Sequence, residues 1–135
     1  PQVKALIDSG VKITALRDAT RGGVSAVLNE WAKQSNICIE IDEEKIPVCD
    51  EVKGICEILG FDAMSLANEG TFVLAIKKED AQKALEVLQT FKEAKTASII
   101  GKVTQQYEQR VILNSQWGTK RFLDVPTGEL LPRIC

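Results

Sequence analysis

Val11-Lys12-Ile13-Thr14-Ala15-Leu16-Arg17-Asp18-Ala19-Thr20-Arg21-Gly22-Gly23-Val24 changes its pattern twice within a short span. Residues 11–16 are rich in β-branched side chains and read as a strand. The paired glycines break that run. From Val24 onward the pattern is helical, with Val24, Val27, Leu28, Trp31 and Ser35 on one face and Asn29, Glu30 and Lys33 outside. A strand feeding a helix through a glycine turn is a building unit of proteins that mix helices with a sheet.

Working outward, residues 2–9 form a short helix that Gly10 stops. Ile37-Cys38-Ile39-Glu40-Ile41 alternates strictly and predicts a second strand. Pro47 opens a helix that runs through Leu59 to a stop at Gly60, and residues 71–77 give a third strand. The clearest helix follows, with Ala81, Ala84, Leu85, Leu88 and Phe91 on one face and Glu79 and Asp80 in its first turn, where the positive helix end favours them. Residues 97–103, 110–114 and 120–123 then read as three strands at hairpin spacing. The expected class is α/β (α+β), a mixed sheet flanked by helices, in one domain over residues 1–123. Residues 124–135, with Pro126, Gly128 and Pro132, form a flexible tail.

At 135 residues the chain suits one domain, which at this size buries roughly two-thirds of its unfolded surface. The net charge of −2 leaves no basic footprint, which argues against a nucleic-acid partner. No apolar run nears the roughly 18 residues of a membrane span. The start, Pro1-Gln2-Val3, shows no signal peptide and suggests a piece of a longer chain. Cys38, Cys49, Cys56 and Cys135 make no C-x-x-C pair, and there is no histidine, so no metal site and no histidine acid–base chemistry is expected. Cys49 and Cys56, with Val52, Ile55 and Leu59, are expected on the buried face of one helix, and Cys38 in a buried strand. Free thiols fit a reducing cytoplasm. Trp31 is expected in the core, Trp117 in a hairpin turn beside Gly118, and the charge runs 42–45 and 77–80 in solvated turns and helix starts.

Three segments could carry chemistry. In Asp18-Ala19-Thr20-Arg21-Gly22-Gly23 the glycines permit close backbone approach, the helix start offers N–H groups, and Arg21 is a bidentate donor, so the loop could hold a phosphate or carboxylate. It could equally be a strand–helix turn with Asp18 or Thr20 as helix cap. In Asn68-Glu69-Gly70 a carboxylate stands at the mouth of a strand, placed for a general base or for an ordinary solvated turn. The third is the terminus, Pro132-Arg133-Ile134-Cys135. A thiol on the last residue can be carried like a substrate on an arm, and Arg133 is the cation nearest to offset the terminal carboxylate. A cysteine there by accident is the plain alternative.

Taken in order, Arg17-Asp18-Ala19-Thr20-Arg21-Gly22-Gly23-Val24, Asn68-Glu69-Gly70 and Leu131-Pro132-Arg133-Ile134-Cys135 resemble the C-terminal half of the HypE family. These are the carbamoyl dehydratases of NiFe-hydrogenase maturation, in the superfamily of aminoimidazole ribonucleotide synthetase and selenophosphate synthetase. The Asp-x-Thr-x-Gly-Gly stretch is shared loosely across that superfamily, whereas the terminal Pro-Arg-Ile-Cys is specific to this branch. The resemblance implies the aminoimidazole ribonucleotide synthetase type of C-terminal domain. It also implies a carbamoyl group placed on Cys135 by the carbamoyltransferase HypF, then dehydrated with ATP to a thiocyanate, the cyanide donor for the iron centre. Glu69 would be the base, Asp18, Thr20, Arg21, Gly22 and Gly23 the anion loop, and Pro132, Arg133 and Ile134 the arm. ATP and magnesium would be held mainly by an N-terminal domain that also builds a homodimer, so this chain alone should be inactive or nearly so. A HypC–HypD complex would be the further partner. The competing readings are a non-catalytic docking module and a domain of another ATP-dependent enzyme of the superfamily.

Overall fold

A computed structural model describes residues 1–68 and 70–125. Cys135, Ile134, Arg133, Pro132 and Glu69 therefore lie outside the described residues. The elements run α1 (Gln2–Asp8), β1 (Ile13–Asp18), α2 (Gly23–Ser35), β2 (Cys38–Asp42), α3 (Asp50–Leu59), β3 (Phe72–Ile76), α4 (Ala81–Gln89), β4 (Gly101–Thr104), β5 (Arg110–Asn114) and β6 (Lys120–Phe122), with short 3-10 turns between several of them. The chain divides into two compact units, Pro1–Arg17 with Leu74–Ile99, and Asp18–Val73 with Ile100–Cys135. Strands β1 and β3 pair as a two-stranded sheet, and the unit boundaries fall within both.

In the first unit α1 packs on α4. Leu6 of α1 and Ala84 and Leu88 of α4 are buried there. The first helix ends as expected, with Gly10 at φ +86° and the Ser9 hydroxyl donating to the Leu6 carbonyl at 2.6 Å. The acidic start of α4 differs from expectation. Lys78–Asp80 form a 3-10 turn before the helix, and Asp80 Oδ2 accepts from the Lys12 backbone N–H at 3.2 Å. Phe91 falls beyond the end of α4.

The second unit is built on a four-stranded mixed sheet in the order β4-β2-β5-β6. Strand β2 runs parallel to β5, with Ile39 opposite Val111 and Ile41 opposite Leu113. It runs antiparallel to β4, and β5 antiparallel to β6. The three expected hairpin-spaced strands are thus corrected: only β5 and β6 form a hairpin, and β2 lies between β4 and β5. The cause is burial. Cys38, Ile39 and Ile41 of β2 and Val111, Ile112 and Leu113 of β5 are all buried, so both strands need neighbours on either side. The edge strands β4 and β6 are largely exposed. Gly101 of β4 sits where a Cβ would collide with the Glu40 carbonyl oxygen, which fixes the close approach of β4 to β2.

Helix α2 covers one side of this sheet, with Val27, Leu28 and Ala32 joining Ile39, Ile41, Val111, Leu113, Met64 and Leu123 in the core. Its buried side is turned from the expected face toward Ser25, Asn29 and Ala32. Asn29 is buried and Ser35 exposed, the reverse of the apolar-stripe expectation. Trp31 packs half-buried against the core. Trp117 is exposed in the β5–β6 turn, beside Gly118 at φ +83°.

Helix α3 begins at Asp50 rather than at Pro47, leaving Cys49 as an extended N-cap residue. Cys49 is consequently exposed, a correction to its expected burial, while Cys38 and Cys56 are buried as expected. Across β2 and β5 the Asn114 amide donates to Glu40 Oε1 and Asp42 Oδ1, both at 2.9 Å. That amide, aided by Lys120 at Glu40 and Lys45 at Asp42, holds both carboxyls below their usual range.

Candidate functional site

Two of the three segments marked in the sequence meet in the second unit. Both backbone groups of Ala19 are engaged by the second loop: its N–H donates to the Thr71 carbonyl at 2.9 Å, and its carbonyl accepts from the Asn68 N–H at 2.8 Å. Ala19 itself is 1% exposed and anchors this junction. Asn68 and Gly70, which flank Glu69, are therefore held beside the Asp18–Gly23 loop, with Gly70 turned at φ +95°.

Within the first loop the polar side chains point outward. Asp18, Thr20 and Arg21 are all exposed. Gly22 at φ +78° is the N-cap of α2, and among the described residues no side chain caps the helix, so the alternative with Asp18 or Thr20 as cap does not hold. The Gly23 N–H donates to the Thr20 carbonyl at 3.0 Å, closing the turn. Gly23, at φ +64°, is wedged: a Cβ there would lie 2.5 Å from the Leu66 carbonyl oxygen and 2.6 Å from that of Met64. Gly23 is thus demanded by packing as well as by its backbone angle. Arg21 is exposed on this rim, as is Arg17 at the end of β1.

Sequence reading missed the residues that pin the root of the tail. Buried Asn29 Nδ2 donates to the carbonyls of Leu123 and Ser25, both at 2.9 Å. The Ser25 hydroxyl donates to the Asp124 carbonyl at 2.9 Å. Ser25 stands two positions beyond Gly23, so the chain leading to Cys135 departs beside the first turn of α2 and the Asp18–Gly23 loop. The available signal was the i, i+4 spacing of Ser25 and Asn29 next to the apolar stripe; polar side chains there are buried only when their hydrogen bonds are met. Among the described residues no group of Cys, Asp and Glu could hold a metal ion, and no helix is long and apolar enough to cross a membrane.

The chain is 45% identical over 133 residues to a putative hydrogenase expression/formation protein of Methanocaldococcus jannaschii, covering 98% of this chain and 39% of that protein. It is also 45% identical to the carbamoyl dehydratase HypE of Escherichia coli, over 100% of this chain and 39% of the relative. It thus spans about two-fifths of the length of these curated relatives. Among solved structures, a hydrogenase maturation protein HypE in complex with ATP matches with a TM-score of 0.92 at 35% identity, over 99% of this chain and 41% of the other. A HypE–HypF complex matches with a TM-score of 0.87 at 42% identity, over 93% of this chain and 40% of the other. Residues 2–114 match one family model, and the chain belongs to that family, the C-terminal domain of AIR synthase related proteins.

Proposed function

We propose that this domain is the C-terminal part of an ATP-dependent carbamoyl dehydratase of hydrogenase maturation, with Cys135 as carrier of the reacting group. One structural observation supports the reading above the others. Asn29 and Ser25 fasten Leu123 and Asp124 beside the two polar loops, so an arm ending in Cys135 is rooted next to the residues that would act on its cargo.

In this reading a HypF-type carbamoyltransferase places a carbamoyl group on the Cys135 sulfur, forming a thiocarbamate. ATP supplies the phosphoryl group that makes the carbamoyl oxygen a leaving group. The carbon–oxygen bond then breaks to release phosphate, the nitrogen gives up its two protons, and a thiocyanate remains on the sulfur. The exposed Arg21 guanidinium fits the role of offsetting phosphate charge at the rim, and Thr20 offers a hydroxyl beside it. Glu69, carried between Asn68 and Gly70, is the carboxylate for a proton on nitrogen, since the chain has no histidine. Most nucleotide contacts and any magnesium ion belong to the remainder of the protein, which would also form the homodimer. The cyanide group then passes to a HypC–HypD complex in the cytoplasm, and the residues that follow Asp124 act as the arm.

Intact mass of the full-length protein, after incubation with the carbamoyltransferase, carbamoyl phosphate and ATP, tests this directly. The expected result is an adduct confined to Cys135 that converts to the dehydrated mass, and none on Cys135→Ser. Glu69→Gln should still be carbamoylated but should dehydrate roughly 10²–10⁴-fold more slowly, the usual loss for a general base. An adduct on another residue would overturn the carrier role. Dehydration of the Gln variant at the normal rate would return Glu69 to an ordinary turn.

A further inference from the structure

Among the described residues, part of the apolar face of helix α3 is uncovered. Val52, Ile55, Cys56, Leu59, Phe61 and Leu66 line a groove of about 190 Å³ in the second unit. Ile55 and Leu59 are each 56% exposed, and Ile58 beside them is 83% exposed. Exposed apolar surface rimmed by polar residues is the kind of surface that receives a partner segment. Its volume is close to that of a cavity that takes one benzene, about 150 Å³, so it suits one or two aliphatic side chains of a short segment.

The described chain ends close to this groove. Asp124 is bonded to Ser25, and Gly23 lies against the backbone of Leu66, which lines the groove. On another side, Arg121 of β6 pairs with Asp62 at 3.2 Å, next to the lining residue Phe61. Ten residues, 126–135, follow Val125 and can extend about 33 Å. They carry three branched aliphatics, Leu130, Leu131 and Ile134. They also carry Glu129 and Arg133, opposite in sign to exposed Lys53 and Glu57 on α3.

We propose that the chain's own last ten residues dock in the α3 groove, seating Leu130, Leu131 and Ile134 there and parking Cys135 between visits to its partners. The docking follows from the groove and the tail; its meaning as a parking place rests on the carrier reading. Burial of this small surface favours the docked state modestly, so the arm can still be taken by another protein.

The test uses the full-length protein and a thiol-alkylating reagent, with Cys135 modification followed by mass, and hydrogen exchange followed across residues 52–59. Ile55→Glu, at an exposed position, should speed Cys135 alkylation about fivefold or more, the change expected for losing 1 kcal/mol of docking. Leu131→Asp approaches the same contact from the tail and should do the same. Ending the chain at Val125 should raise exchange across α3. Unchanged alkylation in both variants, with unchanged exchange on truncation, overturns the proposal. Protection of α3 that persists without the tail also overturns it, and assigns the groove to another part of the protein or to a second copy. Neither readout depends on carbamoylation, so failure of the carrier reading would be seen separately.

Discussion

Helices α2 and α3 belong to the same unit and are both amphipathic, yet they are used differently. The first is gripped along its length. Gly23 is wedged under two carbonyls, Ser25 and Asn29 are buried with their hydrogen bonds met, and Val27, Leu28 and Ala32 fill the core. The second buries Cys56 and leaves Ile55, Ile58 and Leu59 in the open. Even their glycines differ, since a Cβ on Gly54 of α3 meets nothing within 4 Å. Periodicity thus identifies which side of a helix is apolar, but what covers that side depends on which other parts of the chain arrive there.

Substitutions at matched places can break this contrast. The largest effect is expected at Gly23→Val, which forces a β-branched residue to positive φ and drives its Cβ into the Met64 and Leu66 carbonyls. A loss of about 3 kcal/mol or more should appear in the denaturant midpoint of the full-length protein. A loss below about 1 kcal/mol would mean that the 63–66 segment yields easily and that α2 is gripped no better than α3. Next comes Asn29→Ala, which removes two hydrogen bonds and leaves the buried Leu123 carbonyl without its partner. It should cost about 2 kcal/mol, with extra hydrogen exchange near residues 123–125. An unchanged melting curve would show that the root of the tail is held by something else. The smallest effect has the opposite sign. Gly54→Ala should stabilise the protein by about 0.5–1 kcal/mol, because the added methyl meets only open space in a helix interior. Destabilisation there would reveal a partner seated against that side of α3.

Much of the architecture was legible in the chain, and its errors share a cause. The helix stops at Gly10 and Gly60, the glycine turn into α2 and the hairpin of β5 and β6 all depend on residues close in sequence. Insertion of β2 between β4 and β5 does not. It joins residues 38–42 to 101–104 and to 110–114, and no local pattern records that pairing. The misplaced start of α3 is a boundary error of three residues, enough to move Cys49 from the buried side of a helix to an exposed cap.

Of the candidate site, the sequence by itself supplied the residue types: an arginine and paired glycines in one loop, a carboxylate beside a glycine in another, and a thiol at the terminus. Those follow from side-chain chemistry and backbone freedom, which each residue carries wherever it lies. Only the tertiary structure decided that the two loops share the Ala19 backbone as a bridge, that Gly23 is held by the carbonyls of Met64 and Leu66, and that Asn29 ties down Leu123 from 94 positions away. These are hydrogen bonds and close contacts between segments distant in the chain. Their energies exist only once the fold has brought the partners within about 3 Å of one another, so no reading of local pattern can contain them.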